Sequence, residues 1–147
     1  MPRQARSLLP DGIFHVTART VGVELLFVDD YDRRLFLWLL NTLCAEFGVR
    51  RRAYCLMGTH YHLLLEGSAA DLSRVMHRLN SRYAQRYNER HNRHGHLFAE
   101  RYTVRAVLHE EYLAHVYEYI DANPAKAGLC EHGERWPWSW SDVPVAA

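Results

Sequence analysis

No apolar run in this 147-residue chain is long enough to cross a bilayer: the longest, Leu35 to Leu40, is six residues, against the ~20 of a spanning helix. The first residues carry Arg3 and Arg6 where a secretion signal would be apolar, so no membrane partner and a cytoplasmic location are expected. Cysteine is scarce. Cys44, Cys55 and Cys130 are widely spaced, with no Cys-x-x-Cys pair, which argues against a disulfide framework or a zinc knuckle and predicts reduced, partly buried thiols. No internal repeat and no low-complexity segment interrupts the chain. Acidic residues are also short in one region. From Leu72 to Leu108 there are eight Arg and two Glu, a balance of +6, which leaves −5 for the rest of a chain of net charge +1. Such segregation is the footprint of a polyanion site.

What is present fits one globular domain. At 48% hydrophobic and 24% charged residues, a chain of this length buries roughly 68–70% of its unfolded surface. Residues 1–10 show no periodicity and are expected to be a flexible lead-in. GIFHVTART, from Gly12, suits a strand with Phe14, Val16 and Ala18 on the core face and His15, Thr17 and Arg19 on the other. Asp29 and Asp30 can cap a helix carrying Leu35, Phe36, Leu39, Leu40, Leu43, Cys44 and Phe47 at helical spacing and ending at Gly48. Val49 to Met57 and Thr59 to Glu66 then read as an antiparallel hairpin turning at Gly58.

Asp71 is expected to cap a second helix with Leu72, Val75, Met76, Leu79 and Tyr83 inward. On another face Arg74, Arg78, Arg82, Arg86 and Arg90 recur every fourth residue, a ridge of like charges that an anion would neutralise. The run HLFAERYTVRAV predicts a fourth strand. Glu110 and Glu111 open a last helix with an apolar stripe of Leu113, Val116, Tyr117 and Ile120, expected to end at Asn123-Pro124. A tail, 131–147, with Trp136, Trp138 and Trp140 at alternate positions should lie against the body. The order is strand, helix, strand, strand, helix, strand, helix. It predicts an α+β, ferredoxin-like split βαβ domain: an antiparallel sheet with helices on one face, plus one C-terminal helix, and the other sheet face free for a ligand.

The most informative stretch is AYCLMGTHYHLLLE, from Ala53 to Glu66. Strand alternation puts His60, His62 and Leu64 on one side and Tyr61, Leu63 and Leu65 on the other. Two same-facing imidazoles in an apolar strand are costly unless a divalent metal or a phosphate uses them. On the last helix, at 100° per residue, Tyr119 and Asn123 lie roughly 110° and 70° from the centre of the apolar stripe, to the same side. Both can reach the rim of a site floored by the histidines. Tyr112 and Tyr117 compete with Tyr119 for any chemistry there. His91, His94 and His96 are read as a loop accident, because no Cys joins them.

Strand one (FHVTART), MGTHYHLLLE, YNERHNRHGHLFAERY, YEYIDANPAKAGL and WPWSW, taken together and in order, resemble the single-tyrosine HUH transposases, most closely the REP-associated tyrosine transposases. The resemblance spans about Gly12 to Ser141. It implies that His60 and His62 are metal ligands with Asn123 as a third, that Tyr119 is the nucleophile, and that the cofactor is Mg2+ or Mn2+. Met-Gly-Thr stands before His60 where relatives often have Met-Pro-Asn, and Ala125-Lys126 follows Asn-Pro where Val-Arg is common; neither change touches those four residues. The implied activity is cleavage and rejoining of single-stranded or hairpin DNA through a 5′-phosphotyrosine, by a monomer or a homodimer. The alternative is a non-catalytic hairpin-binding protein on the same fold. His15 and Arg19 on strand one, Arg101 and Arg105, and Arg74, Arg78, Arg82 and Arg86 of the ridge are the candidate DNA contacts.

Overall fold

The computed structural model describes residues 11–131 and 135–143; the expected lead-in, 1–10, and parts of the tail lie outside them. Five strands form one antiparallel sheet: β1 (Gly12–Arg19), β2 (Arg50–Leu56), β3 (His60–Gly67), β4 (Thr103–Val107) and β5 (Ser139–Ser141), in the order β4-β1-β3-β2-β5. Helices α1 (Asp30–Phe47), α2 (Ala69–Arg90) and α3 (Glu110–Lys126) complete the chain. The first four strands have the split βαβ order expected.

Two cores sit on opposite faces of the sheet, as the strand period demands. Phe14, Val16 and Ala18 of β1 and Tyr61, Leu63 and Leu65 of β3 pack against α1 and α2 through Phe36, Leu40, Leu43, Val75, Leu79 and Tyr83. Each Val, Leu or Phe side chain among them contributes about 1.5–3 kcal/mol by leaving water. Ala53, Cys55 and Leu64 face the other way, against Val116, Tyr117 and Ile120 of α3. The second face is therefore not free, as expected, but half-covered: α3 lies over part of the sheet and leaves a cleft beside it.

Local signals explain most element ends. The Asp29 side chain accepts from the Asp32 backbone N–H at the start of α1, and Gly48, at φ 66°, ends it in the left-handed conformation that glycine adopts without a Cβ penalty. At α2 the cap is Ser68, not Asp71. The Ser68 hydroxyl accepts from the Asp71 N–H, which leaves the Asp71 carboxylate in the first turn, where the helix dipole favours it.

Three further expectations change. The fourth strand begins only at Thr103; before it the chain makes a single bridge, Thr20 to Phe98. Leu97 and Tyr102 both enter the α1/α2 core, yet they lie five positions apart, an odd step that regular alternation would split between faces. Helix α3 runs through Pro124 to Lys126. The ring costs only the bond that Ile120 would have accepted, and the ladder resumes with Ala127 N–H to Asn123 C=O at 3.0 Å. The tryptophan tail forms the unexpected edge strand β5, pairing Tyr54 with Trp140, while the Trp136 indole donates to the Leu56 carbonyl at 2.9 Å.

Candidate active site

The cleft lies between the sheet and α3. Its floor comes from β1 and β3, where Thr17 pairs with His62 and Arg19 with His60, so these four side chains share a face. Its walls are β4, the segment before it, and α3. His15, Arg19, His60, His62, Arg101, Arg105 and Tyr119 all line this space of about 790 Å3.

His62 is the centre. It is 5% exposed and is touched on three sides. Its Nδ1 shares a hydrogen bond of 3.2 Å with His15 Nε2, the rings lying 5.4 Å apart and 26° from parallel. The Asn123 amide nitrogen is 3.3 Å from His62 Nε2. The Tyr119 ring stands edge-on to it at 5.4 Å. The His60 ring is 5.1 Å away and near-perpendicular, and its Nδ1 lies 3.2 Å from the Thr59 hydroxyl. Tyr119 is 48% exposed, so its phenol sits at the mouth of the cleft and not in the core.

Electrostatics keep these imidazoles neutral. Burial lowers His62 to about 3, helped by the charges that His15, His60 and Arg19 can present. Burial also lowers His15 to about 4, with Arg105 adding to it, and His60 moves the same way through burial and then Arg19. Neutral imidazole is the metal-binding form; the His60 Nδ1 has the Thr59 hydroxyl as partner, which leaves its Nε2 for a ligand, while His62 meets His15 through Nδ1 and turns Nε2 toward Asn123.

Among the described residues no three His, Cys, Asp or Glu side chains gather as a metal site. The donor set that can hold a cation is instead His60, His62 and the Asn123 carboxamide, two nitrogens and one oxygen. Turned by half a rotation, that carboxamide presents its oxygen about where the nitrogen stands, 3.3 Å from His62 Nε2. Adjacent donors of an octahedral ion at ~2.1 Å are about 3 Å apart, so the His62 to Asn123 spacing fits. Such a donor set leaves other positions for substrate oxygens.

Other candidates lie elsewhere. The Tyr117 hydroxyl donates to Asp142 and accepts from Arg52, well occupied on the second core. Tyr112 does line the cleft, as do Thr17, which strand alternation set beside His15 and Arg19, and Thr103 and His115, which the sequence did not single out. His115 stands one turn before Tyr119, and that spacing was the signal available. His91 pairs with the buried Asp32 at 2.8 Å. The arginine ridge does not reach the cleft. Arg74, Arg78, Arg82 and Arg86 belong to α2, which packs on the opposite sheet face; Arg74 pairs with Asp71, Arg78 with Glu46, and Arg90 with Asp29 and Asp32. Arg82 and Arg86 are exposed.

The family model for IS200-like transposases matches residues 12–123, a span that holds every cleft residue named above. The chain belongs to that family. No protein of curated function matches this IS200-like transposase, but solved structures share its fold. A structure of a REP-associated tyrosine transposase bound to a REP hairpin superposes with a TM-score of 0.78 at 16% identity, covering 95% of this chain and 82% of that one. A crystal structure of a protein taken for a transposase, from Deinococcus radiodurans R1, gives a TM-score of 0.53 at 19% identity, covering 81% and 95%.

Proposed function

We propose that this transposase cuts and rejoins single-stranded DNA beside hairpins, with Tyr119 as nucleophile and Mg2+ or Mn2+ held by His60, His62 and Asn123. One observation carries the reading: a half-exposed phenol, two neutral imidazoles and a carboxamide converge in one cleft whose rim bears Arg19, Arg101 and Arg105. All of these come from one chain, which supports a reaction carried out within a single copy.

A free phenol, with a pKa near ~10, is a weak nucleophile at neutral pH. A bound divalent ion supplies Lewis-acid polarisation of the scissile phosphate. The three arginines grip the phosphates on either side and hold the strand in line with Tyr119. The Tyr119 oxygen attacks phosphorus and loses its proton to solvent at the cleft mouth; the bond to the 3′ oxygen breaks, and that oxygen leaves as a hydroxyl after taking up a proton. The products are a 5′-phosphotyrosine and a free 3′-hydroxyl. Attack by such a hydroxyl on the phosphotyrosine reverses the step and joins strands without external energy. A duplex would hide the phosphate from a tyrosine on a helix this close to the sheet, which favours an unpaired strand, and the hairpin bound by the similarly folded REP-associated transposase supports a hairpin beside it.

The test is to incubate end-labelled hairpin DNA carrying single-stranded flanks with the protein and Mg2+ or Mn2+, then resolve covalent adducts on a denaturing gel. A metal-dependent adduct that disappears in Tyr119→Phe is expected. An adduct that survives Tyr119→Phe would remove the nucleophile assignment, and tight hairpin binding with no adduct under either metal would make the protein a non-catalytic binder.

A further inference from the structure

The reaction proposed above has no work for His15, which the sequence placed among the phosphate contacts, yet His15 is the most closely engaged neighbour of His62. The two are diagonal across the β1–β3 pair, since Thr17 is the direct partner of His62 and Leu64 that of His15. Their rings stack at 5.4 Å and share the 3.2 Å contact between His15 Nε2 and His62 Nδ1. A neutral imidazole has one donor nitrogen and one acceptor, so this contact has two possible senses. If His15 donated, His62 would carry its proton on Nε2 and would have no lone pair facing Asn123. If His62 donates, its Nε2 lone pair faces the centre of the cleft.

The ligand role chooses between them. To hold a cation alongside Asn123, His62 must aim its Nε2 lone pair into the cleft, so its proton must be on Nδ1, and the Asn123 amide nitrogen 3.3 Å from that Nε2 matches this sense. His15 Nε2 is then the acceptor that holds it there. We infer that His15 is a positioning residue: by accepting from His62 Nδ1 it fixes the tautomer and ring plane that aim His62 Nε2 at the ligand position shared with Asn123. This rests on the proposed metal site but not on the cleavage step, and it takes His15 off the list of phosphate contacts. An acceptor behind the ring of a ligating histidine typically matters 10–100-fold in metal affinity.

Three variants separate this role from simple space-filling. His15→Gln places a carbonyl oxygen near the position of Nε2 and keeps an acceptor, His15→Leu fills the volume with none, and His15→Ala removes both. Nitrogen-15 chemical shifts of the His62 ring in the metal-free protein should report the Nδ1–H form in the wild type and in His15→Gln, and lose that preference in His15→Leu and His15→Ala. Calorimetric titration with Mn2+ alone should show affinity 10–100-fold weaker in His15→Leu and His15→Ala and within a few-fold of wild type in His15→Gln. A wild-type His62 in the Nε2–H form, or Mn2+ affinity in His15→Leu equal to wild type, overturns the inference. Absence of a DNA adduct would overturn the proposed reaction and leave the ring-tautomer result standing.

Discussion

Acid should unfold this protein early, and the cause lies chiefly in two side chains, with His60 shifted the same way. His15 and His62 are held at about 4 and about 3, whereas in the unfolded chain each titrates near ~6.5. Because the folded values are the lower ones, the unfolded chain takes up protons first, and stability is full above pH 7 and falls as pH drops through 6.5. The loss stops growing only when pH reaches the folded values. Between pH 7 and pH 5 its size depends on the unfolded pKa alone, provided the folded values stay below 5. That amounts to about 2 kcal/mol per histidine, or about 4 kcal/mol for the pair, out of the ~5–15 kcal/mol that a domain of this kind has in total. Asp29, lowered to about 2 chiefly by its hydrogen bond to Arg90, loses its contribution only below about pH 4 and stays outside this window. Urea unfolding followed by tryptophan fluorescence at pH 7 and pH 5 measures the drop. In the double variant H15Q/H62Q it should shrink by about 4 kcal/mol, leaving the share of His60, which burial also lowers. A wild-type protein equally stable at both pH values, or a variant with the same drop, would refute the reasoning.

Other consequences follow from the same contacts. Leu63→Ala, at a fully buried position between sheet and helices, should cost about 2–5 kcal/mol by calorimetry while leaving Mn2+ binding intact in the protein that remains folded. Gly48→Ala meets no neighbouring atom, so its whole cost, about 1 kcal/mol, should be left-handed backbone strain, read as a lower melting temperature. Tyr61 donates to Asn80 at 2.7 Å from a fully buried ring, and Tyr61→Phe should cost about 1–2 kcal/mol in urea unfolding. Arg101→Gln with Arg105→Gln should weaken hairpin binding and reduce its salt dependence by about one phosphate contact each. Arg82→Gln with Arg86→Gln, on the far side of the sheet, should change both less; the opposite ranking in a fluorescence titration would move the DNA path onto α2.

Much of this was legible in the sequence because the signals were local. Asp29 and Gly48 mark the ends of α1 through a side-chain cap and a left-handed turn, both decided within a few residues. The period-two pattern of β1 and β3 sorted Phe14 and Tyr61 from His15 and His62 with no knowledge of the partner strands. The misses share one cause. Ser68 and Asp71 both carry capping side chains, and only the start of α2 at Ala69 put Ser68 at the cap. Leu97 and Tyr102 look like parts of a single strand until both are required in the same core. Pro124 ends helices on average, yet near the end of α3 its ring is buried and the ladder continues past it. The three tryptophans have strand spacing, but only the free edge of β2 made β5 a strand.

The sequence by itself determined the order of the first seven elements and the faces of β1 and β3, and with them the pairing of His60 with His62 on one side of the sheet and of Tyr119 with Asn123 on one side of a helix. Helical and strand periods reach no further than the element that carries them. Only the tertiary structure decided that α3 crosses the histidine face, that Arg19, Arg101 and Arg105 share the cleft while the α2 ridge looks away, and that His15 stands behind His62. Those relations depend on which faces bury apolar surface against each other, a choice made over the whole chain at once.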